Sequence, residues 1–478
     1  MQDIEKTDIQ GLLIRGYAKL PAARFLLLEI TDPAFAKNYL NDILSSVVTV
    51  DSSPDDLAIN IAFSANGLKT LGLPDNSLKT YSREFLEGMD DPYRSFLLGD
   101  QGQSNPANWN WGGPKNPQVH ILLMVYAKDD STLENTCTTQ MNNENFKKGL
   151  SLTTVKYTNP PPEKKEHFGF RDGITQPDVE GLIPLTKIIN PKITPIKTGE
   201  FVLGYKNEYN TYNESPTTLT SSDPNDILPP DKNNPALKDL GKNGTYLVYR
   251  EIEQDPVKFW EYLTANAQGA NKIEAAIKLG AKFVGRWPNG VPLVLSPAKQ
   301  TDDIPVTNDF NYFNEDPSGQ KCPVGAHIRR SNPRDQLFGK NQDTAIEMTR
   351  KHHLLRRGRS FGKPLADSMN PEDILKATND PKEKRGLHFI CLNASISRQF
   401  EFIQSLWITS SKFGGLYNDP DPILGGRDNT SNEFTCPMDT LSAKYKNIPS
   451  FTTVAGGGYF FLPGIKALRY LSAQLRGY

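Results

Sequence analysis

Cysteine is scarce in this chain: four residues in 478, at positions 137, 322, 391 and 436. None stands in a Cys-x-x-Cys pair, so neither a zinc ribbon nor a thioredoxin-type site has its residues, and no Cys-x-x-Cys-His occurs to attach a cofactor covalently. Four cysteines so far apart make no disulfide scaffold and fit a reducing compartment. Long apolar runs are missing too. The longest, Ile121 to Ala127, is far too short to cross a bilayer. The opening residues are polar and acidic where a leader would be basic and then apolar, so a cytoplasmic protein is expected. An excess of one charge is also absent: 54 Lys plus Arg against 55 Asp plus Glu leave a net charge of -1. No global field attracts nucleic acid or an anionic membrane, and any basic cluster must act locally.

What is present reads as an α+β chain. Apolar stretches at Arg24–Ile30, Leu57–Phe63, Gln118–Tyr126, Thr245–Arg250, Leu387–Leu392 and Tyr459–Leu462 predict strands. Helical spacing marks Asp32–Leu44, Ser64–Leu71, a helix opened by Asp255-Pro256, Lys272–Leu279, Ser395–Ile408 and Ile465–Leu475. This mixture suggests antiparallel sheets. Between Lys206 and Asn243 the composition turns to Asn, Asp, Pro, Ser and Thr, which predicts a surface excursion. The expected division is therefore residues 1–205, the 206–243 excursion, and 244–478, with the same kinds of element on both sides. In the Ser395–Ile408 helix, the stripe Ile396, Phe400, Ile403 and Trp407 reads as core packing.

Three stretches could carry chemistry. The first is Lys321-Cys-Pro-Val-Gly-Ala-His-Ile-Arg-Arg-Ser-Asn-Pro-Arg-Asp335. Small, turn-prone residues precede His327, which lets something bulky and flat approach the backbone. His327 offers a metal-ligating nitrogen, and Arg329, Arg330 and Arg334 offer guanidiniums for acid groups. A ligand combining an iron centre with pendant carboxylates, such as haem, would use both. Alone, such a segment is more often a solvated basic face or a nucleic-acid patch than a haem ligand. The second stretch, His167-Phe-Gly-Phe-Arg-Asp-Gly-Ile-Thr-Gln-Pro177, sets Asp172 between Arg171 and Gly173; alone it is an Asp-Gly turn. The third, Leu354-Leu-Arg-Arg-Gly-Arg-Ser-Phe-Gly362, brings Arg356 and Arg357 to a turn.

Together these stretches resemble the dye-decolorizing peroxidases. Gly169-Phe-Arg-Asp-Gly173 matches that family's Gly-x-x-Asp-Gly motif. Ala326-His-Ile-Arg-Arg with Asn332-Pro-Arg334 matches its proximal histidine segment, and Leu355-Arg-Arg-Gly358 its distal arginine segment. The likeness runs from Asp8-Ile-Gln-Gly-Leu12 through Gly386-Leu-His-Phe389 to Gly457-Gly-Tyr-Phe-Phe-Leu-Pro463, and the length looks like that of the family's larger branches. It implies two ferredoxin-like domains with antiparallel sheets, barrel-like together, and non-covalent haem b held between them. It implies His327 as iron ligand, Asp172 and Arg356 as the peroxide-cleaving pair, and Arg334 on a haem propionate. Leu387 and Phe389 would line the distal pocket beside Gly173, with His388 standing where the family often has leucine. Glu401 is a candidate acceptor for the other N–H of His327. The implied reaction reduces hydrogen peroxide through a high-valent iron-oxo species and oxidises bulky aromatic and phenolic substrates, dyes included. Nucleic acid and membrane are not expected as partners, and the oligomeric state is open. The competing readings are a haem storage or transfer protein, and a module binding phosphates through Arg329, Arg330, Arg356 and Arg357.

Overall fold

Apolar segments bounded by turn formers become the strands of one antiparallel sheet in the computed structural model, which describes residues 3–183, 195–337, 339–378, 380, 382–425, 432–437 and 442–473. A first group comprises β1 (Ala22–Ile30), β2 (Leu57–Phe63), β3 (Ile121–Ala127) and β4 (Leu150–Tyr157), in the order β4-β1-β3-β2. A second comprises β5 (Thr245–Gln254), the short β6 (Leu355–Arg356) and β7 (Arg359–Phe361), β8 (Gly386–Asn393) and β9 (Thr452–Leu462). Its order is β9-β5-β8, with β6 and β7 both paired to β8. Counting β6 and β7 as one interrupted strand, each group runs fourth, first, third, second. The halves therefore share a topology that no residue repeat betrays. They join where β2 meets β9 at Phe63 and Phe461, giving nine strands in one sheet. No ladder closes it into a barrel among the described residues, although the outer edges are linked by Asn159 N–H donating to Ser360 O at 2.8 Å.

Because strand side chains alternate, the sheet has two working faces. Phe25, Tyr126, Tyr249, Ile390 and Leu392 from both groups fill a buried cluster on the inner face. The outer face is covered by helices, each started by local chemistry. Asp32 accepts the N–H of Ala34 at 2.9 Å and Pro33 opens α1 (Pro33–Ile43). Asp255 accepts the N–H of Lys258 at 3.0 Å and Pro256 opens α2 (Pro256–Asn266), both residue types favoured there. The next helix, α3 (Lys272–Val284), continues five residues past its expected end at Leu279 and stops at Gly285, whose φ of 100° suits glycine.

Other elements depart from expectation for physical reasons. β9 begins at Thr452 instead of Tyr459. Its Gly456-Gly-Gly458 run weakens strand propensity, but at Gly456 an added Cβ would come within 2.3 Å of the Trp111 ring, so the strand needs that bare backbone. The 206–243 excursion holds a small hairpin, Thr217–Leu219 against Leu237–Asp239, and buries Leu228 and Leu240. The 397–408 helix carries π-type bonds, Glu401 N–H to Ile396 O and Thr409 N–H to Gln404 O, both 2.9 Å, a geometry that recurs at functional sites. The final helix spans Ile465–Ser472; its expected end at Leu475 lies outside the described residues.

Candidate active site

On the outer face of the second group lies a cavity walled by β5, β8, the 397–408 helix and residues 166–177 of the first half. It encloses about 1620 Å³ of empty space counting its mouth. The alternation along β8 decides which side chains reach it. Leu387 and Phe389 line it, whereas His388 faces inward, edge-on to Phe25, with Nδ1 2.9 Å from the Tyr249 hydroxyl and Nε2 3.1 Å from Tyr157 O. His388 thus has no place at this cavity. Burial pushes its imidazole down to about 3, so it is neutral.

Asp172, His327, Arg334, Arg356, Leu387 and Phe389, far apart in sequence, all line this one cavity. His327 is the first residue of α4 (His327–Ser331), a short helix. Its Nδ1 lies 2.9 Å from Asp421 Oδ2, so Nδ1–H donates to the carboxylate and Nε2 is the nitrogen left for a metal. Asp421 is fully buried, and its Oδ1 accepts the N–H groups of Ile423 and Leu424 at 2.8 Å each. Burial opposes its charge, but His327, Arg330 and the Leu424 N–H outweigh that and hold it below the ordinary carboxylate value. Conversely, burial disfavours charge on His327 and Asp421 overcomes it, raising the imidazole. Glu401 does not perform this role. It is buried elsewhere, accepting from Tyr459 Oη at 2.8 Å and Arg94 Nη1 at 2.9 Å. Asp421 escaped the sequence reading because it lies 94 residues beyond His327, in an Asp-Pro-Asp-Pro loop that reads as a turn.

Across the cavity Asp172 Oδ1 accepts from Arg356 Nη1 at 3.2 Å. Arg356 Nη2 also donates to Thr175 O at 3.1 Å, and its backbone N–H to Gln176 Oε1 at 2.9 Å. Asp172 is carried by a tight hairpin, its N–H bonded to Lys164 O at 3.1 Å. Gly173 follows at φ 73° with nothing within 4 Å of an added Cβ, so glycine serves the backbone angle here and does not line the cavity. Burial raises the Asp172 carboxyl, but the Arg356 charge and the Gly173 N–H outweigh it and hold it below 3.8. With 44% of the Asp172 side chain exposed, this ion pair is well screened and its worth is positional. On the same wall burial pushes Glu166 up to about 7.

The remaining arginines divide. Arg334 sits at φ 59° and donates to Asn308 O at 2.8 Å and Phe310 O at 3.1 Å. Arg286, unremarked in the sequence, donates to Gly290 O at 2.8 Å and Asn308 Oδ1 at 2.7 Å. Neither forms an ion pair with a carboxylate among the described residues, and both line the cavity. Burial pushes Arg286 down to about 10, with Arg334 adding to the push. His353, another cavity residue, buries an Nε2 with no hydrogen-bond partner; its place three residues before Arg356 could have flagged it. Arg329, Arg330 and Arg357 are buried and serve structure: Arg329 on Asp316 at 2.9 Å, Arg330 on the carbonyls of Trp407, Ser410 and Asp419, Arg357 on Leu12 O at 2.7 Å. With Arg356 paired to Asp172, a phosphate-binding face made of Arg329, Arg330, Arg356 and Arg357 is therefore overturned. The 397–408 stripe is not pure core either, since Phe400 and Ile403 line the cavity.

Comparison with known proteins finds likeness over almost the whole length. Residues 8–156 match the model of the DyP dimeric alpha+beta barrel domain. The dye-decolorizing peroxidase msp1 of Mycetinis scorodonius is 28% identical over 97% of this chain and 86% of its own length. AauDyP1 of Auricularia auricula-judae is 28% identical over 96% and 86%. The crystal structure of a fungal DyP-type peroxidase from Auricularia auricula-judae superposes with a TM-score of 0.77 at 25% identity, covering 99% of this chain and 100% of that one. Over nearly its whole length the chain is similar to dye-decolorizing peroxidases.

Likeness to the dye-decolorizing peroxidases implies a haem cofactor, and the cavity can be tested against it. A flat, apolar macrocycle needs apolar walls, and Leu387, Phe389, Phe400, Ile403, Ile408 and Leu424 supply them. Its iron needs a nitrogen, and His327 Nε2 is left over for one. Its carboxylates need cations, and Arg286 and Arg334 carry charge with no ion-paired carboxylate among the described residues, where the cavity residue His353 also has an Nε2 with no hydrogen-bond partner. These residues fit haem. No helix among the described residues is long and apolar enough to cross a membrane.

Proposed function

We propose that this protein is a dye-decolorizing peroxidase that holds haem b non-covalently in the cavity, with His327 on the iron, and that Asp172 and Arg356 work together on hydrogen peroxide while bulky aromatic molecules supply the electrons. The observation carrying this reading is that His327, Asp172 and Arg356 line one cavity, with Asp172 and Arg356 3.2 Å apart. No cysteine lines that cavity, which supports non-covalent binding. All four cysteines are free and buried, which supports a reducing, cytoplasmic setting. When bound, the haem supplies the iron that meets peroxide and stores the oxidising equivalents.

The chain's own residues have separable tasks. Asp172, ionised in mild acid, accepts a proton from one peroxide oxygen and returns it to the other. The Arg356 guanidinium faces negative charge developing on the departing oxygen. Asp421 fixes the tautomer of His327 and makes its Nε2 more electron-donating. Arg286, Arg334 and His353 would hold the propionates.

The reading is tested by loading the protein with haem and recording visible spectra before and after peroxide. A Soret band that responds to peroxide is expected, and His327→Ala should weaken haem retention and displace the band. A colourless protein after loading, or an unchanged spectrum in His327→Ala, would sink it. Asp421→Asn should lower haem affinity or peroxide reactivity by roughly 10–100-fold, the usual cost of removing a ligand's supporting carboxylate. Titration of haem into the variant, followed by stopped-flow mixing with peroxide, measures it.

A further inference from the structure

Glu166 stands on the same cavity wall, and no step above uses it. It begins the tip of the hairpin that carries Asp172. Glu166 N–H donates to Phe170 O at 2.9 Å and Gly169 N–H to Glu166 O at 2.8 Å, while Gly169 turns the chain at φ 91°. The Glu166 carboxylate folds back into this turn. Its Oε2 accepts the N–H of Phe168 at 2.9 Å and its Oε1 that of Phe170 at 3.0 Å. From outside the hairpin, Gln254 Nε2 at the end of β5 donates to Oε2 at 2.6 Å. No lysine or arginine pairs with this carboxylate among the described residues, so N–H groups alone hold it. The two phenylalanines whose amides it binds are docked in turn. Phe168 stacks on Phe259 of α2 with ring centroids 4.5 Å apart, Phe170 lies parallel to Trp260 at 6.0 Å, and Trp260 Nε1 donates to Phe168 O at 3.0 Å.

A buried acid gripping two backbone amides and a strand side chain is costly to keep unless its geometry matters. Two residues after the second gripped amide comes Asp172. We propose that Glu166 is a positioning residue for Asp172: its carboxylate, fastened to β5 through Gln254, sets the shape of the 166–170 turn and so where Asp172 stands over the cavity. Phe168 and Phe170 hold the turn from the apolar side, and Glu166 holds it from the polar side. This rests on Asp172 being the group that handles the peroxide proton.

The test uses the full-length, haem-loaded protein with Glu166→Ala, Glu166→Gln and Gln254→Ala, alongside Asp172→Asn. Stopped-flow rates with peroxide, haem absorption and amide hydrogen exchange are measured for each. Glu166→Ala should slow the peroxide step by roughly 10²-fold, the scale of a catalytic group displaced by about an ångström. Haem absorption should stay as in the parent, since the His327 side is untouched, and the Phe168 and Phe170 amides should exchange faster. Glu166→Gln keeps one accepting oxygen and should recover part of the rate. Gln254→Ala should give a smaller loss. The proposal is overturned if Glu166→Ala reacts within about twofold of the parent, or if haem retention falls in step with the rate, as a purely structural role would produce. Should Glu166→Ala not fold, rates within about twofold of the parent in both Glu166→Gln and Gln254→Ala overturn it. If Asp172→Asn itself reacts normally, the underlying assignment of Asp172 fails instead, and the two failures are distinguished.

Discussion

Asp172→Asn is expected to slow the reaction with hydrogen peroxide by roughly 10²–10⁴-fold, the range for losing a positioned acid–base group, while haem binding stays intact. The substitution keeps the shape and an oxygen that Arg356 Nη1, 3.2 Å away, can still donate to. It removes the ability to take a proton and give it back. Nothing on the His327 side contacts the changed group through a hydrogen bond, so the Soret band of the resting protein should be unaltered. Stopped-flow absorbance after mixing with peroxide reads the rate directly. In the parent, Arg356 and the Gly173 N–H hold Asp172 below its ordinary carboxylate value. A depressed acid of this kind stays ionised throughout mild acid and takes up its proton only as the pH falls through the lowered value. The peroxide reaction should accordingly persist through mild acid to about pH 4, the ordinary range of a free aspartate, and fail only as the pH falls further, through the lowered value. Loss of reactivity just under neutrality would mean that another group is the base.

Arg356→Leu should cost roughly 10²–10³-fold in the same reaction, as removal of one preorganised charge at a developing anion does. Its guanidinium is fixed before the reaction by Asp172 and by Thr175 O at 3.1 Å, so little reorganisation is needed when charge appears. The leucine variant also strips Asp172 of the charge that lowers its carboxyl. An acid that loses its cation becomes easier to protonate, so the acid limb of the rate profile should move to higher pH. Arg356→Lys keeps the charge without the planar fork and should fall between leucine and the parent. If Arg356→Leu retained the parental rate and profile, the guanidinium would have no part in cleaving peroxide.

Local sequence carried much of the fold. Asp32-Pro33 and Asp255-Pro256 start helices because their side chains and ring geometry satisfy orphan amides without help from afar. The strands from Leu57 and Gly386 were legible from apolar content. The Gly456–Gly458 part of β9 was not, since Trp111, 345 residues before Gly456, packs against its bare backbone. The π-type turns at 397–408 were likewise hidden behind an ordinary helical stripe.

The site divides in the same way. Motif residues His327, Asp172 and Arg356 were visible because each sits in a short run of glycine, arginine and turn formers. Their supports were not. Asp421 reaches His327 across 94 positions, and Glu401, which looked suitable, is spent on Tyr459 and Arg94. Sequence alone determined the element types, the absence of a zinc or disulfide framework, and three candidate chemical groups. Which of two neighbouring side chains meets the cavity was decided only by the sheet. Adjacent residues of an extended strand point to opposite faces, so Leu387 and Phe389 line the cavity while His388 turns to Tyr249; just past the end of β6, Arg357 is buried on Leu12 O while Arg356 meets Asp172.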